Sequence, residues 1–392
     1  MAGALGGLGR KKLKVTVVGS GNWGSTAAKL IGENLLRNRL DYEREVKMWV
    51  FEEVVNGRKL SEIINTEHEN VKYLKNVKLP DNVRAEPDLA TACAGASVLV
   101  FVVPHQFLPK LLHVVKKAMA PDAFGISLIK GIDFDAHGMV LLSDLIRNQL
   151  GIDVSVLMGA NVADEIARED FAEATIGGTE LYACRFQQLF QRPYFRVNTV
   201  ESAHAVELCG ALKNVVALGA GFSDGLGWGN NTKAAIIRIG LDEMRRVIEL
   251  YYGNCPSNVL LDSCGVADLI TTCYGGRNRK CAEHFVRNPG KSWEQIEKEL
   301  LNGQSLQGTL TSMELHKVLT ASGVDFDGDF PLFKNIYEIA FQGAPASTLV
   351  QGLTCESQRR RGSVAQDAPA EPRAMPMHKA PSKPLPGKLA RL

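Results

Sequence analysis

The chain has 392 residues, 45% of them hydrophobic, and a formal net charge of +2. At roughly 150 residues per domain, this length predicts two or three domains with cores of their own. The small net charge gives no indication of a nucleic-acid partner. The eight cysteines show no C-x-x-C spacing and no nearby histidine cluster, so we expect a reduced intracellular protein without a metal site. No apolar run of about 18 residues is present, so we expect no membrane partner.

The first half of the sequence alternates between predicted strands and predicted helices. Residues 13–18 (LKVTVV) form a short apolar run, followed by a glycine-rich turn and a helical pattern through about residue 37. Further apolar runs predict strands at 46–51, 97–103, 125–129 and 154–158. Strands of this kind, separated by helices, are typical of a parallel sheet covered on both faces. We therefore predict an α/β domain over residues 11–199, doubly wound and mostly parallel.

The second half changes to a largely helical pattern beyond Pro193, with a predicted boundary near residue 199. Helices are predicted at 201–220, 232–252, 256–272, 275–287, 293–302, 309–320 and 331–342. This predicts an all-helical domain over residues 200–353. Residues 354–392 contain many prolines and basic residues but few large apolar ones. Such a segment cannot bury enough surface to offset its ordering entropy, so we predict a disordered tail.

The turn after the first predicted strand fits the pattern G-x-G-x-x-G. Its residues are Gly19, Ser20, Gly21, Asn22, Trp23 and Gly24. In a strand–turn–helix context, the first glycine permits a tight turn, the second lets the backbone approach a pyrophosphate, and the third allows close packing of helix and strand. The helix N-terminus then offers N–H groups to the anion. This context favours a dinucleotide site over an ordinary glycine turn.

The second predicted strand ends in Phe51-Glu52-Glu53. A carboxylate at this position commonly accepts a hydrogen bond from the ribose 2′-hydroxyl of NAD, whereas a cation suits the 2′-phosphate of NADP. No lysine or arginine occurs within residues 48–57, so the sequence favours NAD. The two glutamates could equally be a solvated strand end.

Lys213 lies in a glycine-rich, apolar block, residues 210–231 (GALKNVVALGAGFSDGLGWGNN). Desolvation lowers the pKa of a lysine and suits it to proton transfer. Reduction of a ketone by hydride needs a proton donor at the forming alkoxide. A surface lysine whose stem lies along apolar residues is the alternative interpretation.

Residues 264–280 (CGVADLITTCYGGRNRK) contain a second group of candidate site residues. Asp268 and Thr272 are four residues apart, which places them on one helix face, and a buried Asp268 needs a partner such as Lys213. Arg277 follows two glycines at a predicted helix start, an arrangement suited to phosphate. The alternative interpretation of this basic segment is a solvated helix face without a ligand. Lys130 follows a predicted strand, where ligands bind in open α/β sheets.

With these residues the chain is recognisable: it closely resembles the NAD-dependent, cytosolic-type glycerol-3-phosphate dehydrogenases of eukaryotes, from about residue 13 to residue 350. The blocks that carry the resemblance are GSGNWGS (19–25), MWVFEE (48–53), INTEHENVKYL (64–74), FVVPHQF (101–107), SLIKGID (127–133), LMGAN (157–161), CGALKNVVALGAGF (209–222) and SCGVADLITTCYGGRNRK (263–280).

The resemblance implies a dinucleotide-binding Rossmann domain, a helical C-terminal domain and a site between them, usually in a homodimer. It implies conversion of sn-glycerol 3-phosphate and NAD⁺ to dihydroxyacetone phosphate and NADH, and the reverse. It assigns acid/base chemistry to Lys213, with Lys130 and Asp268 also catalytic. It assigns substrate contacts to Lys130, Asn214, Asp268, Thr272, Arg277 and Asn278. Cofactor contacts are assigned to Gly19–Gly24, Phe51, Phe107, Ala163, Arg277 and Gln307.

The sequence departs from this family at Ser305, in residues 178–192 and 321–330, which match it poorly, and in its C-terminal tail. Ser305 stands where the family usually has a lysine, which removes one possible charge contact to the cofactor. The tail from about residue 354 has no counterpart in the animal enzymes.

Two other functions remain compatible with a Rossmann domain followed by helices. One is a related β-hydroxyacid or phosphogluconate dehydrogenase, and the other is an NADH-sensing protein without turnover. The GGRNRK block argues against the first, and the presence of Lys213 and Arg277 argues against the second.

The sequence leaves two cellular locations open. A cytoplasmic protein is expected from the family. The C-terminal Ala390-Arg391-Leu392 resembles a peroxisomal signal and would bind an import receptor. Arg360-Arg361-Gly362-Ser363 resembles a kinase site, so the tail could instead be regulatory.

Overall fold

The structure, a computed structural model, describes residues 12–37, 41–135, 138–253, 255–301 and 305–353. The predicted disordered tail and the C-terminal tripeptide Ala390-Arg391-Leu392 lie outside these residues. The fold has an N-terminal part built around a large sheet and a C-terminal part built of helices, which confirms the predicted fold class.

Strands form the centre of the N-terminal part. They are β1 (Leu13–Val18), β2 (Tyr42–Trp49), β3 (Val54–Val55), β4 (Arg58–Lys59), β5 (Glu69–Asn70), β6 (Leu74–Lys78), β7 (Val83–Glu86), β8 (Val98–Phe101), β9 (Phe124–Ser127), β10 (Asp133–Asp135), β11 (Gly138–Val140), β12 (Val154–Met158), β13 (Ala172–Gly177) and β14 (Phe195–Val200). Eight of them form one sheet in the order β14-β13-β12-β9-β8-β1-β2-β7. Its strands pair in parallel except for β12 and β13, which are antiparallel.

Helices cover the sheet and then make up the C-terminal part. They are α1 (Asn22–Arg37), α2 (Leu60–Glu67), α3 (Leu89–Cys93), α4 (Leu108–Ala118), α5 (Leu142–Leu150), α6 (Ala163–Ala167), α7 (Glu180–Phe190), α8 (Ala203–Gly225), α9 (Asn230–Tyr252), α10 (Ser257–Leu261), α11 (Asp268–Gly275), α12 (Arg277–Arg287), α13 (Trp293–Leu301), α14 (Gln307–Ala321), α15 (Phe326–Asp329) and α16 (Pro331–Phe341). Short 3₁₀ turns occur at His105–Phe107 and Ala346–Val350, and a π-helical turn at Ser263–Ala267.

Helix α8 is the core of the C-terminal part. It is predominantly apolar, and by length and composition it could cross a membrane, but its apolar window is entirely buried inside the protein. Helices α9, α11, α12 and α14 pack around it. A Cβ at Gly221 would lie 2.3 Å from the carbonyl oxygen of Arg279, so only glycine allows α12 to approach this closely. This contact fixes the helix that carries Arg277.

Most predicted elements are confirmed, and two details are wrong. The second strand begins at Tyr42 and ends at Trp49 rather than spanning 46–51. The helix predicted over 256–272 is broken into α10, the π-helical turn and α11. Asp262 accepts a hydrogen bond from the backbone N–H of Ser263 and starts a new helical segment there. Gly265 allows that segment to fold against α10, because its Cβ would lie 2.2 Å from the carbonyl oxygen of Leu260.

Candidate active site

The glycine-rich loop joins β1 to α1. Gly19 has φ +124°, and its Cβ would lie 2.4 Å from the carbonyl oxygen of Val102, at the end of β8. A Cβ at Gly24 would lie 2.2 Å from the Gly19 carbonyl oxygen. Gly21, in contrast, faces open space, with no atom within 4 Å of its Cβ position. The first and third glycines therefore pack the loop, and the second leaves room for a ligand at the N-terminus of α1, as the motif predicts.

A cavity of about 480 Å³ opens beside this loop. It is lined by Gly19, Ser20, Gly21, Trp49, Phe51, Glu53, Tyr73, Val102, Val103, Pro104, Phe107, Lys110 and Leu111. Phe51 and Phe107 are 70% and 53% exposed. Two large apolar rings exposed beside a polar glycine loop suit a ligand that has both an aromatic base and phosphates.

The two glutamates after β2 have different surroundings. Glu52 accepts hydrogen bonds from the backbone N–H and the hydroxyl of Ser61, in the first turn of α2, at 3.2 and 2.6 Å. Glu53 lines the cavity, forms an ion pair with Lys72, and accepts a hydrogen bond from the Tyr73 hydroxyl at 2.7 Å. Hydrogen bonds from Lys72 and Tyr73 hold the pKa of Glu53 below its usual value. Of the two, Glu53 is the carboxylate that lines the cavity.

A buried ion pair joins α8 to α11. Lys213 Nζ lies 2.5 Å from Asp268 Oδ1, and both side chains are almost completely buried. Lys130, after β9, lies 3.9 Å from the other carboxylate oxygen of Asp268. Lys130 Nζ also donates to Asn161 Oδ1 at 3.1 Å. Residues from four separate chain segments thus meet at one point between the sheet and the helices.

Desolvation, together with the positive charge of Lys130, lowers the pKa of Lys213 from 10.5 to about 8, although the Asp268 carboxylate opposes the shift. A lysine with this pKa exchanges its proton near neutral pH, whereas an ordinary lysine stays protonated. Asp268 Oδ2 and Asn161 Nδ2 are buried without a hydrogen-bond partner among the described residues. Both atoms can bind a polar ligand beside Lys213.

The N-terminus of α12 lies next to this cluster. Asn278 Nδ2 donates to Asn214 Oδ1 at 3.0 Å, and the backbone N–H of Gly308 donates to Asn278 Oδ1 at 2.9 Å. These bonds connect α12 to α8 and α14. Arg277 is the first residue of α12 and is exposed, and no side chain caps the helix there. The backbone N–H groups of the first helical turn and the guanidinium suit an anion.

The remaining predicted residues occupy three positions. Thr272 is buried on α11 and donates its hydroxyl hydrogen bond to the Asp268 carbonyl oxygen at 2.6 Å. Gln307 begins α14, and its Oε1 lies 3.4 Å from a Cβ position at Gly131, close to Lys130. Ala163 begins α6, and its carbonyl oxygen accepts from Thr26 on α1 at 3.2 Å. Ser305 is exposed just before α14.

The comparison with protein families identifies the chain. The model of the NAD-dependent glycerol-3-phosphate dehydrogenase N-terminus matches residues 14–184, and the model of the C-terminus of the same enzyme matches residues 203–351. The chain belongs to the NAD-dependent glycerol-3-phosphate dehydrogenases. Its predicted enzyme class and its cofactor, NAD, are thereby confirmed.

Curated relatives agree over most of the chain. A glycerol-3-phosphate dehydrogenase 1-like protein of Danio rerio is 55% identical over 344 residues, 87% of this chain and 97% of the relative. The cytoplasmic NAD⁺ glycerol-3-phosphate dehydrogenase of Mus musculus is 54% identical over 343 residues, again 87% of this chain and 97% of the relative.

Solved structures of this family share the fold. The glycerol-3-phosphate dehydrogenase of Plasmodium falciparum superposes with a TM-score of 0.83 at 41% identity, covering 87% of this chain and 94% of that one. The enzyme of Saccharomyces cerevisiae gives a TM-score of 0.82 at 44% identity, covering 87% and 99%.

In this glycerol-3-phosphate dehydrogenase, two asparagines near the site were not predicted. Asn161 accepts a hydrogen bond from Lys130, and it ends the LMGAN block, whose first two residues end a predicted strand. Asn70 is completely buried and donates to the Ser20 carbonyl oxygen and to the Ser25 hydroxyl, at 2.8 and 2.9 Å. Asn161 is indicated only by its position after the strand, and Asn70 only by its place in the block INTEHENVKYL.

Proposed function

We propose that Lys213 is the acid/base of hydride transfer between glycerol 3-phosphate and NAD⁺. The observation that carries this proposal is the buried ion pair between Lys213 and Asp268, in which the lysine has a pKa of about 8. In the reductive direction, bound NADH supplies a hydride to carbon 2 of dihydroxyacetone phosphate. The Lys213 ammonium donates its proton to the carbonyl oxygen, which becomes the hydroxyl of glycerol 3-phosphate. In the oxidative direction, neutral Lys213 takes that proton back.

The neighbours of Lys213 orient the substrate in this proposal. Asp268 holds the Lys213 amine in place, and Lys130 provides a second positive charge toward the developing alkoxide. Thr272 fixes the turn of α11 that presents Asp268. Arg277, the N-terminus of α12, and the paired amides of Asn214 and Asn278 bind the phosphate of the substrate.

The described residues fit the dinucleotide. We assign the pyrophosphate to the loop Gly19–Gly24, because the Gly21 backbone faces open space there, at the N-terminus of α1. The adenosine half occupies the cavity between Phe51 and Phe107. Ala163, Gln307 and Arg277 lie toward the nicotinamide half, by resemblance to the family.

We expect the pH dependence of kcat/KM to follow Lys213. Reduction of dihydroxyacetone phosphate requires the ammonium, so its kcat/KM should fall above about pH 8. Oxidation of glycerol 3-phosphate requires the neutral amine, so its kcat/KM should rise toward the same pH. Lys130→Met removes a positive neighbour and should move this midpoint to higher pH. Asp268→Asn removes a negative neighbour and should move it to lower pH.

The test is a pair of pH profiles of kcat/KM, which report groups of the free enzyme. The same profiles are recorded for both variants, with NADH binding as the control for folding. Identical midpoints in the wild type and in both variants would assign the titration to another group.

We propose that the enzyme is cytoplasmic and forms a homodimer. The first proposal is supported by relatives named cytoplasmic, and the second by the resemblance to the family. Analytical ultracentrifugation of the full chain tests the dimer, and a single species of about 43 kDa would contradict it.

The competing location is a peroxisome-type organelle, reached through Ala390-Arg391-Leu392 and its import receptor. We expect an N-terminally tagged full chain and a chain lacking these three residues to differ in location if the tripeptide is a signal. The matched control is a chain in which Arg391 is replaced by glutamate, which keeps the length. If all three proteins remain diffuse in the cytoplasm, the tripeptide is not a targeting signal.

A further inference from the structure

The ion pair of Glu53 and Lys72 lies at the wall of the cavity that we assign to the adenosine half of the cofactor. Glu53 and Tyr73 line this cavity together with Phe51 and Phe107. Lys72 Nζ forms the ion pair with Glu53 and lies 5.0 Å from the centre of the Tyr73 ring. An ammonium group is therefore present beside the Glu53 carboxylate at the wall of the cavity, and Glu53 is paired with it.

Lys72 is held in register with the glycine-rich loop. It lies in the tight turn between β5 and β6, and the side-chain oxygen of Asn70 accepts hydrogen bonds from the backbone N–H groups of Lys72 and Tyr73, at 3.3 and 3.1 Å. The amide nitrogen of the same asparagine donates to the Ser20 carbonyl oxygen. One buried side chain thus connects the turn that bears Lys72 to the loop that bears the pyrophosphate. Lys72 cannot shift relative to the cofactor site without breaking these bonds.

The sequence rule for cofactor choice misses this lysine. It considers the residues next to the end of the second strand, where residues 48–57 contain no cation. Lys72 reaches the same place from a turn 19 residues after Glu53. The choice between the two cofactors then depends on whether the carboxylate neutralises this ammonium.

We infer that Glu53 and Lys72 form a latent site for a ribose 2′-phosphate, which Glu53 keeps closed. With Glu53 present, a 2′-phosphate meets a carboxylate and an ammonium already paired, while a 2′-hydroxyl can donate to the carboxylate. Without the negative charge, Lys72 is released to pair with the phosphate dianion. Glu53 therefore rejects NADPH in two ways: its charge repels the 2′-phosphate, and its ion pair with Lys72 keeps that ammonium from binding the phosphate. This inference rests on the assignment of the cavity to adenosine.

The decisive variant is Glu53→Gln, which keeps the shape of the side chain and an acceptor for the Tyr73 hydroxyl but cannot pair with Lys72. We expect the ratio of kcat/KM for NADPH to that for NADH to rise at least about tenfold, the factor of one charge-assisted hydrogen bond. A readout that does not depend on catalysis is the displacement of NADH, followed by its fluorescence. The displacing probes are 5′-AMP and 2′,5′-ADP, which are the adenosine halves of the two cofactors.

Three further variants separate Lys72 from general charge effects. Adding Lys72→Ala to Glu53→Gln should abolish the gain in 2′,5′-ADP affinity. Adding Lys110→Ala, which removes a lysine that lines the cavity but has no ion pair with Glu53 among the described residues, should keep the gain. Glu69→Gln breaks a similar ion pair, with Lys78 at 3.1 Å, and should leave the preference for NADH unchanged. The gain should also shrink in high salt, because the pair is partly exposed.

The outcomes distinguish failure of the proposed 2′-phosphate site from failure of the assignment of the cavity to adenosine. A gain in Glu53→Gln that survives Lys72→Ala would show that only repulsion was removed and would overturn the role of Lys72. An unchanged preference in Glu53→Gln would overturn the inference while leaving the cavity assignment intact. If 5′-AMP fails to displace NADH from the wild type, the cavity is not the adenosine site, and the inference falls with it.

Discussion

Lys213→Ala should lower kcat for reduction of dihydroxyacetone phosphate by at least about 10²-fold, because a positioned general acid contributes about that much. NADH affinity should remain nearly unchanged, since Lys213 lies among the residues between the sheet and α11 rather than in the adenosine cavity. The measurements are steady-state kinetics and NADH fluorescence titration.

The controls for Lys213 address the loss of a buried ion pair. Removing Lys213 leaves Asp268 with a buried charge, so the variant is expected to lose stability as well as activity. Lys29→Ala removes another buried lysine, which pairs with Glu33 at 2.7 Å on α1. It should lower the unfolding temperature but leave kcat unchanged. Near-normal turnover in a folded Lys213→Ala protein would eliminate Lys213 as the proton donor.

The glycine-rich loop shows how far local sequence reaches. The strand Leu13–Val18, the turn and the start of the helix at Asn22 follow from an apolar run and glycine spacing, which are properties of adjacent residues. The steric reason why residue 19 must be glycine cannot be predicted from neighbouring residues, because a Cβ there would clash with Val102, 83 positions later in the chain. The glycine spacing is thus visible in adjacent residues, but the contact that requires Gly19 is long-range.

The reaction centre shows where local sequence is insufficient. A lysine in an apolar block and a carboxylate in a helical pattern were recognised as candidates, and the need of each for a partner suggested that they meet. Their separation of 2.5 Å and the place of Lys130 beside them depend on how α8, α11 and the end of β9 pack. The same packing determines the pKa of Lys213, since desolvation and the charge of Lys130 both act through space.

The two glutamates after β2 also show that local sequence is insufficient to assign a role to a residue. Glu52 and Glu53 are adjacent in sequence and chemically identical, so sequence alone could not distinguish them. The structure does, because Ser61 of α2 donates hydrogen bonds to Glu52, while the hairpin of β5 and β6 brings Lys72 and Tyr73 to Glu53. Tertiary contacts gave the two residues different roles.

Arg277→Ala should impair reduction of dihydroxyacetone phosphate far more than that of unphosphorylated dihydroxyacetone. Arg277 begins α12, whose N-terminus contacts the residue after Lys213 through the Asn278–Asn214 hydrogen bond. Loss of a charge-assisted contact with phosphate costs roughly 1.5–3 kcal/mol. We therefore expect kcat/KM for the phosphate ester to fall more than about tenfold. The value for dihydroxyacetone should change little, because this substrate has no group for Arg277 to bind.

Arg287→Ala is the matched control for this prediction. Arg287 ends the same helix, is largely exposed, and forms an ion pair with Glu283 at 2.7 Å. It lies ten residues from Arg277 along α12, roughly 15 Å at the rise of an α-helix, so it is too far away to contact the same phosphate. Its loss should leave kcat/KM for both substrates unchanged.

A second experiment supplies the phosphate group as a separate molecule, by adding inorganic phosphite to reactions with dihydroxyacetone. Phosphite should stimulate turnover by the wild type, and Arg277→Ala should lose that stimulation. Equal losses on both substrates in Arg277→Ala, with stimulation by phosphite retained, would place the phosphate elsewhere.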